Sequence, residues 1–505
     1  MIKRRIKTYT RLSAYWLAFV LLFTSSWLGR KFGHPNFEQV LYHLQFGNTG
    51  LIDVDQGLIW SFIRQCLLAP ILPTLLIYSL ESAVVQIREI GYSAYRNRIR
   101  VQLRQWVTRI SLLLERLCFQ LFRRQLPLVL IVIAAIILLT KLSAWSYILS
   151  LQYTEFFRAN YVTPSAIQAP RQKKNLVLIY AESMEQTYAD RSLFGSNLIE
   201  GLKVSSVKGE SIERFVQTPG TGWTIAGIVS SQCGVPLRPV TMKDGNLSNE
   251  EVKSFMAKAT CLGDVLKRAG YTNIFMGGAG LDFAGKGKFL LSHGYDEVYG
   301  KTDWREQGER QFNEWGLYDD RLLANAKKKI DQLEAKGELY NLTLLTVDMH
   351  TPTGFVSDTC KKRGANDYQS IIVCSADMLG QLISYMHQRG YTKNTDIVVI
   401  GDHLSMGSPL EDRLEKNIER TIFNRFYTQT ELNKNRSILY HYDLFPTILY
   451  ILGFRFPESR LALGASVFGP LSTDYTLNQN DNLEEKLKAP SDEYAKLWTI
   501  PADSP

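Results

Sequence analysis

Asn175-Leu-Val-Leu-Ile-Tyr-Ala-Glu-Ser183 reads as a buried strand that ends in a carboxylate. Desolvating Glu182 there is unfavourable unless a positive group meets it. Two other apolar runs end alike: Leu342–Val347 runs into Asp348-Met349-His350, and Asp396–Ile400 into Gly401-Asp402-His403. Helical patterns at Leu262–Ala269, Asp320–Ala335 and Ser375–Arg389 alternate with the strands, which predicts an α/β domain with a mainly parallel central sheet. Ligand sites in open α/β sheets lie beyond the carboxyl ends of the strands. The three endings therefore meet at one edge, bringing three carboxylates and two imidazoles, a donor set suited to Mn2+ or Zn2+. Singly, Glu182 reads more simply as a helix cap, Asp402 as part of a turn and His350 as a satisfied buried histidine. Three endings of one kind in one domain favour a shared ion.

A fourth element, Thr218-Pro-Gly-Thr-Gly-Trp-Thr-Ile-Ala-Gly-Ile-Val-Ser-Ser-Gln-Cys233, predicts a turn, an N-cap at Thr221 and a helix over Gly222–Gln232. A helix start offers unpaired N–H groups and a positive dipole end to a phosphate. A hydroxyl held on a metal there is placed to attack phosphorus. The plainer reading is that Thr221 only caps the helix.

Outside this domain the chain changes character. Residues 1–170 carry 19 Lys and Arg against 7 Asp and Glu, a net +12; subtracted from the totals of 58 and 49, residues 171–505 hold 39 against 42, a net −3. The basic character is thus N-terminal, and the globular part has no nucleic-acid signature. Three apolar runs of membrane length lie in that third, near 12–29, 57–80 and 125–150, which predicts an all-α anchor of about three spans over residues 1–151. No small-residue cleavage site follows the first run, so it reads as a span and not a signal peptide. Lys3, Arg4, Arg5, Lys7 and Arg11 precede the first run, and nine Arg fall between Arg88 and Arg124 in a basic loop, 81–124. Positive charge keeps both segments cytoplasmic and sends everything after about residue 150 outside. Within the loop, Ile99–Arg124 alternates Arg with apolar residues, as in a helix lying on anionic lipid or packed on its neighbours. Residues 152–174 read as a linker, 175–470 as the extracytoplasmic domain and 471–505 as a polar tail. Cys233, Cys261, Cys360 and Cys374 fall in the exported part, where disulfides form; Cys360–Cys374 is the favoured pair for its short polar loop.

Taken together, NLVLIYAESME, QTPGTGWTIAGIVSSQCGVPL, GGAGLDFAGKGKF with HGYDEVYG, EWGLYDD, VDMHTPTGF, GDHLSM and HYDLFPTIL resemble the alkaline-phosphatase/sulfatase superfamily. Within it they are most similar to the membrane phosphoglycerol transferases: the lipoteichoic-acid synthases and, more closely, the enzymes that modify osmoregulated periplasmic glucans. The resemblance covers about residues 170–455 in the family's order. It implies a sulfatase-like fold on a multi-pass bacterial inner-membrane anchor. It also implies one divalent metal, Mn2+ ahead of Mg2+ and Zn2+, held by Glu182, Thr221, Asp402 and His403. Thr221 is then the nucleophile, with Thr224 as the alternative register, and His350 the substrate-side histidine. Asp443 falls in a motif read as structural. The lipoteichoic-acid synthases carry a Trp and an Arg before the segment matching HGYDE. Here that stretch has no Trp, and Lys286 or Lys288 takes the Arg's part.

The implied reaction transfers phosphoglycerol from phosphatidylglycerol to a hydroxyl of an extracytoplasmic glycan through a glycerophospho-threonine, releasing diacylglycerol. Phosphoethanolamine transfer to lipid A or a sugar, and a non-catalytic phosphoglycerol-polymer-binding role, are the competing readings. Cys233-Gly-Val-Pro-Leu-Arg238 has one residue too many for the sulfatase Cys-x-Pro-x-Arg motif. HExxH, Walker A and G-x-S-x-G motifs are absent.

Overall fold

The computed structural model describes residues 2–33, 35–46, 56–98, 125–149, 154–239, 254–416, 419–471 and 482–499. It divides into two compact units: residues 1–36 with 56–145, and residues 37–55 with 146–505.

In the first unit, Ile2–Phe32 is one helix, and a helical run continues from Gln56 to Arg98 apart from a turn at Ala69–Pro70. Among the described residues two helices are long and apolar enough to cross a membrane, Thr8–Phe32 and Ile59–Val84. The expected third span is not established. Its sequence forms a shorter apolar helix, Gln125–Lys141, separated from Ala144–Leu149 by a break at Ser143, whose φ is 52°. The proposed interfacial helix at 99–124 lies outside the described residues.

The second unit is built on a seven-stranded sheet. In chain order its strands are β1 Asn175–Ala181, β2 Gly209–Glu210, β4 Thr272–Gly277, β5 Glu297–Tyr299, β6 Tyr340–Leu345, β7 Thr395–Gly401 and β8 Asn424–Tyr427. A short parallel pair, β3 Arg214–Val216 with β9 Ile438–Tyr440, lies apart from it. The spatial order is β2-β8-β7-β1-β6-β4-β5. The five strands from β7 to β5 run parallel, while β8 and β2 add an antiparallel edge. The mainly parallel sheet is as expected.

β1 shows why the centre forms as it does. All seven of its residues are buried, and they alternate between two cores. Leu176, Leu178 and Tyr180 pack with the helices Thr224–Cys233 and His441–Ile451; Val177, Ile179 and Ala181 pack with Asp319–Lys336 and Tyr368–Gln388. A strand covered on both faces has no polar side, which explains the unbroken apolar run. Cys360–Cys374 form a disulfide as favoured, and Cys233–Cys261 form a second.

The described parts of the expected linker and polar tail pack into the core. The proposed linker pairs with the domain at Val162–Ala462 and Gln168–Arg455 and buries Phe156 and Phe157. In the tail, Trp498 packs on Phe255, and Arg238 lies over the Tyr494 ring. The helix Phe37–Phe46 also belongs to this unit and sends Tyr42 into the same core.

Candidate active site

β1 and β7 are neighbours in register, with Ala181 opposite Gly401, so Glu182 and Asp402 leave their strands side by side. Backbone groups fix both. The Glu182 N–H donates to Thr346 Oγ1 at 2.9 Å, just past β6. Ser183 and His403 donate their N–H groups to Asp402 Oδ1 at 2.8 and 2.9 Å, and Ser183 Oγ donates to Glu182 Oε1 at 2.8 Å. Ser183 holds a left-handed φ of 52°, a strained conformation of the kind that gathers at functional sites.

Glu182, Asp402 and His403 each offer a ligand atom within 4.8 Å of the others, and all three are buried. His403 Nε2 lies 3.6 Å from Glu182 Oε1 and 3.5 Å from Asp402 Oδ2. Thr224 Oγ1 stands 3.4 Å from Glu182 Oε2 and 3.5 Å from His403 Nε2. Four ligands about 2.1 Å from a tetrahedral ion would stand about 3.4 Å from one another. Among the described residues Asp402 Oδ2 is buried with no hydrogen-bond partner and with His403 Nε2 near it, at 3.5 Å, an expensive state for a carboxylate oxygen unless a cation meets it. His403 Nδ1 is 2.8 Å from the Leu404 carbonyl, which as a donated bond leaves the Nε2 lone pair facing the cluster. These four side chains fit a divalent cation.

The electrostatics agree. Burial, then the neighbouring Glu182 charge, pushes the Asp402 carboxyl up to about 7. Burial alone would lower His403, but the charges of Asp402 and Glu182 outweigh it and hold the imidazole above its ordinary value. Lys286 is buried and brought down to about 8 by desolvation, offset by Glu182 and Asp402, so it senses both carboxylates. Lys288, two residues further along the helix Lys286–Ser292, is exposed. Burial lowers His350 to about 4, so its imidazole is neutral at physiological pH, with Nδ1 2.8 Å from the Thr351 carbonyl. The Trp315 ring lies on it at 4.1 Å and 30°.

Two expectations need correction. The helix starts at Thr224, not Gly222, because Trp223 is still extended at φ −152°, ψ 159°. Thr221 is fully buried and closes the preceding turn: its hydroxyl donates to the Thr218 carbonyl at 2.7 Å and accepts from the Thr218 N–H at 3.0 Å. The threonine at the cluster is Thr224, which is part exposed. Asp348, counted among the convergent carboxylates, instead accepts from Asn313 Nδ2 and the Asp319 N–H, while Asp319 accepts from the N–H groups of Val347 and Asp348. This reciprocal pair braces the loop that carries His350. Asp443 is structural as expected, accepting from the N–H groups of Tyr440 and Ala465.

Besides Trp315, another supporting residue was not singled out from sequence. His441 is fully buried, and its Nε2 lies 2.7 Å from the Asp402 carbonyl. A Cβ on Gly227 would stand 2.1 Å from that same oxygen, so the Thr224 helix and the Asp402 turn touch backbone to backbone.

Residues 174–454 match the sulfatase family model. The chain belongs to the sulfatase family. It is 37% identical to phosphoglycerol transferase I of Salmonella arizonae over 361 residues, which is 68% of this chain and 45% of that protein. Phosphoglycerol transferase I of Citrobacter koseri gives 37% over 362 residues, 69% of this chain and 45% of its own length. The chain thus spans about half the length of the curated relatives it matches. Among solved structures, the lipoteichoic acid synthase LtaP from Listeria monocytogenes is similar at a TM-score of 0.46 and 15% identity, covering 60% of this chain and 79% of that one. Family membership does not bring the sulfatase cysteine with it: Cys233 is held in the disulfide to Cys261.

Proposed function

We propose that this protein transfers phosphoglycerol from phosphatidylglycerol to a hydroxyl of an extracytoplasmic glycan, with Thr224 as nucleophile. The observation that carries the reading is the Thr224 hydroxyl at the fourth corner of Glu182, Asp402 and His403. The names of the curated relatives support the phosphoglycerol headgroup. The implied cation, Mn2+ by the resemblance, would be held by these four side chains and would lower the pKa of the hydroxyl and polarise the phosphoryl oxygen.

The chain's own groups divide the remaining work. Thr224 Oγ1 attacks phosphorus, the bond to the diacylglycerol oxygen breaks, and the proton given up by the threonine hydroxyl passes to that oxygen. A glycerophospho-threonine remains. An acceptor hydroxyl then attacks the same phosphorus, the bond to Thr224 Oγ1 breaks, and the proton given up by the acceptor hydroxyl returns to the threonine. His350, neutral and half-buried, would orient the acceptor hydroxyl by accepting its hydrogen bond at Nε2. The buried Lys286 ammonium balances the phosphate charge, and the free N–H groups at the Thr224 helix start add to it. Two helices of spanning length, the basic flank and two disulfides support a membrane-anchored enzyme whose domain faces the outside.

Diacylglycerol release from labelled phosphatidylglycerol, with and without added Mn2+, tests this. Thr224→Ala abolishes release and Thr221→Ala retains it on this reading. Release that survives Thr224→Ala eliminates the nucleophile, and release from phosphatidylethanolamine alone replaces the donor.

A further inference from the structure

The helix Phe37–Phe46 lies in sequence between the two candidate spans, far from every motif of the catalytic domain, yet it touches the site's walls. Tyr42 has no exposed surface, and its hydroxyl donates to the Ala284 carbonyl at 2.8 Å, across 242 residues of sequence. Its ring also lies 5.8 Å from that of Trp223, the residue before Thr224. His43 packs on Phe283 at 5.3 Å, Phe283 on Trp315 at 5.5 Å, and Trp315 on His350. One turn of this helix thus reaches the Thr224 wall, the Lys286 wall and, through two rings, the His350 wall.

The Lys286 wall most requires support. Ala284 and Gly285 are both left-handed, with φ 58° and 72°, and Lys286 starts a new helix directly after them. An L-residue such as Ala284 disfavours that conformation, so the surroundings must hold it. A buried hydroxyl on the Ala284 carbonyl is such a hold.

We propose that Tyr42 is a positioning residue: its hydroxyl fixes the Ala284–Gly285 turn so that Lys286 enters the site as the phosphate contact. The helix Phe37–Phe46 is then a built part of the active site, and a domain made without it is incompletely formed. The inference rests on the role given to Lys286 above.

The test uses the full chain with Tyr42→Phe, Lys286→Met and the double variant. The readouts are KM for phosphatidylglycerol, inhibition by inorganic phosphate, and hydrogen exchange over residues 280–290. Loss of one such hydrogen bond predicts that Tyr42→Phe raises KM and the phosphate inhibition constant about five-fold with kcat little changed. Exchange over 280–290 speeds up, and Tyr42→Phe adds nothing once Lys286 is Met, because its effect passes through that side chain. A merely structural tyrosine would instead lower the melting temperature and the active fraction and leave KM alone. Constants that rise in Lys286→Met but stay unchanged in Tyr42→Phe, or a Tyr42→Phe effect that adds in full to Lys286→Met, overturn the proposal. Faster exchange in Tyr42→Phe with unchanged constants in both single variants supports the hold on the turn and strikes instead the phosphate role of Lys286.

Discussion

Replacing Gly227 by Ala, one methyl group, should disable the site without altering any side chain that would hold the cation. The new Cβ would stand 2.1 Å from the Asp402 carbonyl oxygen, 3.1 Å from its carbon and 3.4 Å from His441 Nε2. Ordinary contact begins near 3.4 Å, so the helix and the Asp402 turn must part by about 1.3 Å. Backbone stands on both sides, and no flexible side chain can yield. Thr224 lies one turn earlier on the same helix, so its hydroxyl moves with the displacement, away from atoms now 3.4 and 3.5 Å distant. A misplacement of about 1 Å at reacting groups costs on the order of 100-fold in rate, and overpacking a core contact costs about 1–3 kcal/mol of stability. The assay is diacylglycerol release per folded enzyme, alongside Mn2+ titration calorimetry and thermal unfolding. Activity and Mn2+ affinity both within about two-fold of wild type would refute the claim that this contact sets the site.

Three other outcomes follow from the same structure. Thr221→Val removes the acceptor of the Thr218 N–H and should cost about 1–3 kcal/mol in urea unfolding while the folded fraction keeps its rate. Burial, with the charges of Glu182 and Asp320, raises Asp319 to about 7, and burial with the Asp319 charge raises Asp348 well above the ordinary carboxylate range. The unfolded chain ionises them near pH 4, so stability is fullest below that and is lost as pH rises through 7. In Asp348→Asn, urea unfolding at pH 5 and pH 8 should show a smaller loss between the two than wild type. Lys286 carries its charge below about 8. KM for the donor should therefore climb above that pH in wild type, and Lys286→Met should flatten the climb.

The sheet was legible because β1, β6 and β7 lie at its centre, where burial on both faces imposes unbroken apolar runs and the clustered polar residues follow at once. Glu182, Asp402 and His403 could be read for that reason. The choice between Thr221 and Thr224 could not. Both follow a Pro-Gly turn, and only the extended backbone at Trp223, set by packing, moves the helix start two residues on. Asp348 looked like a third convergent carboxylate because strand endings fix where a residue emerges, not which neighbour its side chain meets. Asp319 claimed it through loop hydrogen bonds that no spacing reveals. Trp315 and Tyr42 reach the site from distant segments, and without a periodic signal they could be found only in three dimensions.

Mass spectrometry of enzyme incubated with phosphatidylglycerol and Mn2+ but no acceptor tests the nucleophile most directly. The peptide holding Thr224 should gain one glycerophosphate, localised by fragmentation to that residue and absent from Thr224→Ala. The same adduct on Thr221, or full turnover by Thr224→Ala, would contradict the account.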